Sequence, residues 1–353
     1  MSTYTDAQQK ILILRLREIL SILPPYLFDF FRGIEHTTSI TTRLGYTYDL
    51  KIFFDYLYSQ TTYFDAYTNL SEITLDDLER LSPRDIEKYL EYLSYYEKQT
   101  SDKTMMSYQN GPKGKARKLA ALKTFYHYFY KQERITHNPT ALVDMPKITE
   151  KAIIKLEIEE IANLLDTVES GTKLTPHQKR YHNYTKLRDL ALISLLLGTG
   201  IRVSECVGLN IEDVDFNYNG IKITRKGGNE TIIYFGDEVE QALQAYLSER
   251  LEKHPLTSDN PLFLSLQNKR LGVRSIQLLV KKYSQLITQL KVITPHKLRS
   301  TYGTQLYQET GDIYLVADIL GHKDVNTTKK HYAQMDDTRR RMAAKIIKLR
   351  ETD

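Results

Sequence analysis

Thr294-Pro295-His296-Lys297-Leu298-Arg299 sets an imidazole and a guanidinium three residues apart. Thr suits the position before a helix and Pro suits its first turn, so the spacing predicts a helix carrying both groups on one face near its start. An imidazole, a guanidinium and a helix N-terminus converging on one point suit a phosphate. A surface His and Arg at this spacing are the plainer alternative, and the segment alone does not decide. In Gly200-Ile201-Arg202-Val203-Ser204-Glu205, Arg202 follows a glycine break at the end of an apolar run, Leu187 to Leu197. A guanidinium beside a buried helix is costly without a partner, and Glu205 can hold it. A purely structural Arg–Glu pair fits equally well. In Leu320-Gly321-His322, Gly321 reads as the C-cap of an apolar helix from Ile313, fixing His322 just beyond it. Thr327 to Tyr332 then starts a further short helix. Tyr332 is one of 26 tyrosines, and in isolation it reads as core or surface.

Other chemistries find no support. Gly111-Pro112-Lys113-Gly114-Lys115 has the wrong spacing for a phosphate-binding loop. There is no His-Glu-x-x-His motif, and the one cysteine, Cys206, excludes a cysteine metal site and a disulfide framework. The expectation is therefore no metal, no cofactor and a reducing cytoplasm. Lys and Arg total 49 against 44 Asp and Glu, a net charge of +5. That mild excess permits nucleic-acid binding without demanding it. No apolar run approaches the roughly 20 residues of a membrane span, and Met1 to Lys10 lacks a secretory pattern. No membrane partner is expected.

With 353 residues, two domains are expected, because single cores stop growing near roughly 250–300. The two-proline stretch from Asn138 to Lys147 reads as a linker, which places the domains at 1–148 and 149–353. Helical periodicity marks Gln9 to Leu23, Thr42 to Tyr58, a helix from Ser82-Pro83 continuing through Tyr96, and Lys115 to Gln132. The first domain therefore reads as all-helical. Its last helix opens with Lys113, Lys115, Arg117, Lys118 and Lys123, either a solvated face or a stripe of phosphate contacts. The second domain opens with a helix from Glu157 to Val168, then a polar loop through Gly171 and Pro176, then the apolar helix from Leu187. Two β-branched runs, 220–224 and 231–235, flank Arg225-Lys226-Gly227-Gly228-Asn229-Glu230 and read as a β-hairpin. Helices resume at Asp237. The fold expected is mainly α with a small β-sheet, the second domain being α+β.

Together the Arg202 box, Lys226 in the hairpin, His296-x-x-Arg299, Gly321-His322 and Tyr332 resemble the tyrosine recombinase/integrase family, in the family's order and on matching elements. The resemblance covers about residues 155–335, and the N-terminal part is similar to the family's helical core-binding, SAM-like domain. Ile22-Leu23-Pro24-Pro25-Tyr26 and Thr224-Arg225-Lys226-Gly227-Gly228 resemble the single-protein Xer (XerS-like) recombinases of Gram-positive bacteria, which resolve chromosome dimers. The resemblance implies a C-shaped clamp around double-stranded DNA. It implies cleavage and rejoining through a 3′-phosphotyrosine on Tyr332, without metal or ATP. Arg202 and Arg299 would neutralise the phosphate, His296 would act as base or phosphate ligand, and Lys226 would protonate the leaving 5′-oxygen. His322 would hydrogen-bond the phosphate, while Glu205 orients Arg202. It further implies a homo-tetramer on two DNA duplexes, with the tail Arg339, Arg340, Arg341, Met342, Ile346 and Leu349 docking on a neighbouring subunit. A cytoplasmic, nucleoid-associated protein acting at a dif-like site, with an FtsK-like DNA translocase as a further partner, completes the expectation. Two departures stand out: Ser300 replaces a histidine common after the second arginine, and Tyr332 lies 332 − 322 = 10 residues after His322, a spacing more usual in phage and conjugative-element integrases. An element integrase, a type IB topoisomerase-like enzyme and an inactive architectural DNA-binding protein remain the alternatives.

Overall fold

The computed structural model describes residues 4–99, 104–149, 154–225, 228–256, 259–288, 290–322 and 324–325. It divides into two units, Met1–Glu150 and Lys151–Asp353. In the first, helices α1 (Tyr4–Leu20), α2 (Tyr26–Gly33), α3 (Ile40–Gln60), α4 (Leu75–Glu79) and α5 (Pro83–Tyr92) precede a hairpin of β1 (Tyr96–Gln99) and β2 (Met105–Tyr108), and α6 (Pro112–Lys131) follows. Starts are written in the sequence. Ser39 caps α3 by accepting from the Thr42 N–H at 3.2 Å, and Asp85 accepts from the Ser82 N–H at 3.0 Å at the start of α5. The apolar positions of α3 recur at helical spacing, and Leu50, Phe53, Phe54 and Leu57 are all buried. They meet Leu119, Leu122, Phe125, Tyr126 and Phe129 of α6 in one core. Its rings pack edge to face, as in Phe30–Phe125 at 5.5 Å and Phe53–Tyr89 at 5.0 Å.

The first unit is not all-helical. The helix expected to run through Tyr96 stops at Tyr92, and Tyr96 pairs with Tyr108 across an antiparallel hairpin. The Tyr-rich run fits a helix by spacing, but it also suits a strand, and the aromatic pairing decides. Tyr96 is stacked between Tyr92 at 5.1 Å and Tyr108 at 5.4 Å.

The second unit contains α7 (Ile158–Ser170), α8 (Pro176–Thr199), α9 (Val203–Gly208), strands β3 (Val214–Asp215), β4 (Gly220–Thr224) and β5 (Glu230–Tyr234), then α10 (Asp237–Lys253), α11 (Val273–Ser284), α12 (Pro295–Thr310) and α13 (Ile313–Leu320). The polar stretch before Leu187 is helix rather than loop. Thr175 and Gln178 form a capping box and Pro176 takes the first helical position, so the proline starts α8 instead of breaking the chain. The hairpin pairs Ile221 with Ile233 and Ile223 with Thr231, and β3 adds a third antiparallel strand. Ile221 and Ile223 are buried while Lys222 faces out, the period-two pattern of a half-buried strand. The architecture is mainly α with small sheets, as expected. For the site, what matters is that α12 packs on both α8 and α13.

Candidate active site

Helix α8 ends at Gly200, which has φ +62° and accepts the turn that sends the chain to Arg202. A side chain at 200 would also collide with the ring of Tyr302 and press on Leu320, so both conformation and close packing demand glycine here. Arg202 is the residue before α9. Its N–H donates to Glu205 Oε2 at 2.7 Å and its Nη1 to Glu205 Oε1 at 2.8 Å. One carboxylate thus caps the helix and holds the guanidinium. The Glu205 side chain is 4% exposed and that of Arg202 35%, so a buried anion aims a partly open cation. Arg202 Nη2 donates to the Gly321 carbonyl at 3.1 Å.

Helix α12 begins at Pro295 behind Thr294, as the sequence implies. Exposed His296 lies in its first turn, and Arg299, one turn later, is 6% exposed. Arg299 Nη1 donates to the Gly200 carbonyl at 2.7 Å, and its Nη2 donates to the Leu320 carbonyl. Ser300, at the position where a histidine is common, is buried and donates to the His296 carbonyl at 3.0 Å. Its hydroxyl also lies 3.4 Å from His296 Nδ1.

Helix α13 starts on Asp312, which accepts from Tyr314 and Leu315 N–H groups at 2.8 and 3.1 Å. It ends on a Schellman pattern: the Gly321 N–H reaches Asp318 and the His322 N–H reaches Ala317, both at 2.9 Å, with Gly321 at φ +60°. The cap fixes half-buried His322 one residue beyond the helix. The last carbonyls of α13 then meet guanidiniums in succession. Ile319 accepts from Arg225 at 2.8 Å, Leu320 from Arg299 and Gly321 from Arg202. Cations at a helix C-terminus complement its dipole, which favours this arrangement.

The structure therefore brings Arg202, Glu205, Arg299 and His322 to one place, with His296 a turn from Arg299. Lys226, Tyr332 and the tail Arg339 to Leu349 lie outside the described residues. Arg225 belongs to the same cluster, and sequence reading missed it. Its charge sits inside a basic turn, and no local signal separates it from its neighbours.

The basic start of α6 divides. Lys113 and Arg117 are exposed, Lys115 and Lys123 half-buried. Lys115 donates to Ser94 at 2.7 Å. Lys118 is a correction to the expected phosphate stripe: it is 5% exposed and its Nζ lies 3.1 Å from the buried carboxylate of Asp49. Arg117 pairs with the same carboxylate. Burial pushes Asp49 up from the usual carboxylate range against the pull of both cations. A lysine spent on a buried anion is not available to a phosphate.

Among the described residues no group of three His, Cys, Asp or Glu could hold a metal ion. None of their helices is long and apolar enough to cross a membrane.

Comparison with known proteins sets this cluster in context. The chain matches the phage integrase family over residues 155–339. Tyrosine recombinase XerC of Caldanaerobacter subterraneus subsp. tengcongensis is 31% identical over 331 residues, 91% of this chain and 86% of that protein. Tyrosine recombinase XerD of Staphylococcus haemolyticus is 30% identical over 258 residues, 70% of this chain and 84% of that one. Among solved structures, a XerH site-specific recombinase bound to its difH substrate superposes with a TM-score of 0.60 at 20% identity, covering 98% of this chain and 97% of that one. The Tn1549 transposon integrase in complex with circular intermediate DNA gives 0.62 at 20% identity, covering 89% and 97%. At such identities the solved structures speak to the fold. The sequence relatives speak to family, since one of them runs nearly end to end with this chain. The clustered arginines thus sit in a member of the phage integrase family, a tyrosine recombinase of the Xer type.

Proposed function

We propose that this recombinase cuts and rejoins double-stranded DNA at one scissile phosphate held by Arg202, Arg299 and His322. The observation that carries the reading is that Arg202 and Arg299, from segments about a hundred residues apart, donate to the adjacent carbonyls of Gly321 and Leu320 beside His322. A phosphodiester repels a nucleophile through its charged oxygens, and two planar guanidiniums offset that charge. Their effect is largest as negative charge builds in the transition state.

In this reading the Tyr332 oxygen attacks phosphorus and the bond to the 5′-oxygen breaks. The phenolic proton passes to His296, and Lys226 supplies a proton to the leaving oxygen. The 3′-phosphotyrosine keeps the bond energy, so a 5′-hydroxyl from another strand reverses the step on a new partner. Glu205 orients Arg202. Lys113, Lys115 and Lys123 of the first unit contact phosphates along the duplex, Arg117 being held with Lys118 on Asp49, and the two units act as a DNA-binding and a catalytic domain.

The Xer relatives favour chromosome dimer resolution at a dif-like site over insertion of a mobile element. In the same reading a homo-tetramer assembles on two duplexes, joined through the C-terminal tail, with an FtsK-like translocase as activator. The test is a nicked suicide duplex carrying a dif-like site. Wild type should form a covalent protein–DNA band and Tyr332→Phe should not. No band with wild type, or a band that survives the substitution, defeats the assignment. Sequencing the trapped DNA separates a chromosomal dif-like site from a mobile-element end. Mixed-subunit cleavage assays test the tetramer.

A further inference from the structure

Three successive carbonyls at the end of α13 hold three guanidiniums, and only two of them have a role so far. The third, Arg225, comes from the last residue before the turn of the β4–β5 hairpin and donates through Nη2 to Ile319 at 2.8 Å. Its guanidinium lies against Gly321 so closely that any side chain there would collide with it. The backbone of Arg225 is equally committed: its N–H donates to Asn229 at 2.8 Å and its carbonyl accepts from Gly228 at 3.0 Å. Both bonds join Arg225 to the residues that lead into β5.

We infer that Arg225 is a positioning residue, which docks the hairpin turn on the capped end of α13 and thereby delivers Lys226 to the phosphate held by Arg202 and Arg299. The inference rests on the reading of Lys226 as the general acid. Consecutive Cα atoms are about 3.8 Å apart, so an anchored Arg225 limits where Lys226 can begin. Holding a side chain in one place costs conformational entropy, and a fixed neighbour in the chain reduces the positions it can take. Fixing the preceding residue removes much of that cost before DNA binds. The anchor is well chosen, because the same helix end receives Arg202 and Arg299. Hairpin and phosphate clamp therefore share one reference frame. Burial lowers the Arg225 pKa below the usual guanidinium range, with Glu205 favouring its charge and Arg202 opposing it. A desolvated cation of this kind holds tightly to the carbonyl it has.

A leaving-group substitution isolates the role. In a normal substrate the 5′-oxygen leaves with a proton from Lys226 Nζ. In a substrate with sulfur at the 5′-bridging position, the thiolate leaves without one. Arg225→Gln, Arg225→Lys, Lys226→Ala and wild type are compared in single-turnover cleavage of both substrates, with DNA binding measured in parallel. Arg225→Gln should cleave the oxygen substrate about 10²-fold more slowly, within the usual worth of a general acid. It should cleave the sulfur substrate within about threefold of wild type, matching Lys226→Ala and with DNA affinity retained. Arg225→Lys, which keeps a donor without the planar fork, should fall between wild type and Arg225→Gln on oxygen and reach wild type on sulfur. Equal slowing of Arg225→Gln on both substrates, with Lys226→Ala rescued, would overturn the positioning role and leave the acid assignment standing. No effect of Arg225→Gln on either substrate also overturns it. Failure of sulfur to rescue Lys226→Ala would remove the acid assignment, and the positioning role with it.

Discussion

Arg299 spans two helix ends, donating to Gly200 at the end of α8 and to Leu320 at the end of α13. It works as a fork, and lysine has no second prong. Arg299→Lys should therefore slow covalent-complex formation about as much as Arg299→Ala, each by about 10²–10³-fold in single-turnover assays. Arg202 is held instead by one buried carboxylate, Glu205, which also caps α9. Removing an acceptor for charge-assisted bonds costs about 1.5–3 kcal/mol. Glu205→Ala should lower the urea unfolding midpoint accordingly and reduce cleavage, whereas Arg202→Ala reduces cleavage with a smaller stability change. The order of these two variants in denaturation separates the roles of orienting and contacting. The Arg202–Glu205 link is local, three residues long, and legible in the sequence. The Gly321 contact of Arg202 crosses more than a hundred residues, and no local pattern announces it.

At the scale of the element, two helix ends decide most of the site. Gly321 at φ +60° occupies a conformation that costs other residues about 1–2 kcal/mol, and a methyl group there also displaces Arg225. Gly321→Ala should lose that much stability in denaturant titration and lose cleavage beyond what the stability change explains. Helix α6 makes the opposite point about a charge run. Its basic residues look equivalent in the sequence, yet Lys118 is paired inside the core with Asp49 while Lys113 is exposed. Lys113→Ala should lower the slope of log affinity against log salt by about 1. Lys118→Ala should leave that slope unchanged. Asp49→Ala strands a buried ammonium and should destabilise by about 3 kcal/mol, read from chemical unfolding. Helix periodicity shows which face of α6 is inward only through its apolar residues. A lysine at the edge of that face is assigned by its partner, and Asp49 lies on another helix.

The whole molecule has two units, with an aromatic core in the first and the arginine cluster in the second. Acid should weaken the first unit through two hydrogen-bonded carboxylates, Glu79 and Asp85. Bonds from the Thr136 side chain and backbone, then from the His137 N–H, hold Glu79 below the usual carboxylate range. Burial pushes Asp85 up, but the Ser82 hydroxyl and N–H outweigh it and leave its carboxyl lowered. A carboxylate whose folded pKa is depressed stabilises the fold above its unfolded pKa, near about 4, and loses that contribution as pH falls through the folded value. Asp49 is raised and works in the opposite direction. The urea midpoint should therefore fall below about pH 4, and Glu79→Gln should make that fall shallower, as followed by tyrosine fluorescence. An unchanged pH profile in Glu79→Gln would remove Glu79 from the account.

By itself the sequence determined most of the helices, the β4–β5 hairpin, the Thr-Pro start of α12 and the Arg202–Glu205 pair, because those features depend on neighbours within a few positions. Periodicity, Thr-Pro starts and glycine stops act at that range. Only the tertiary structure decided that Arg202, Arg299 and Arg225 meet on consecutive carbonyls of one helix end, and that Tyr96 joins a strand and Lys118 a buried pair. Those outcomes depend on which distant group arrives to satisfy a charge, a carbonyl or a ring, and that is settled by packing rather than by spacing along the chain.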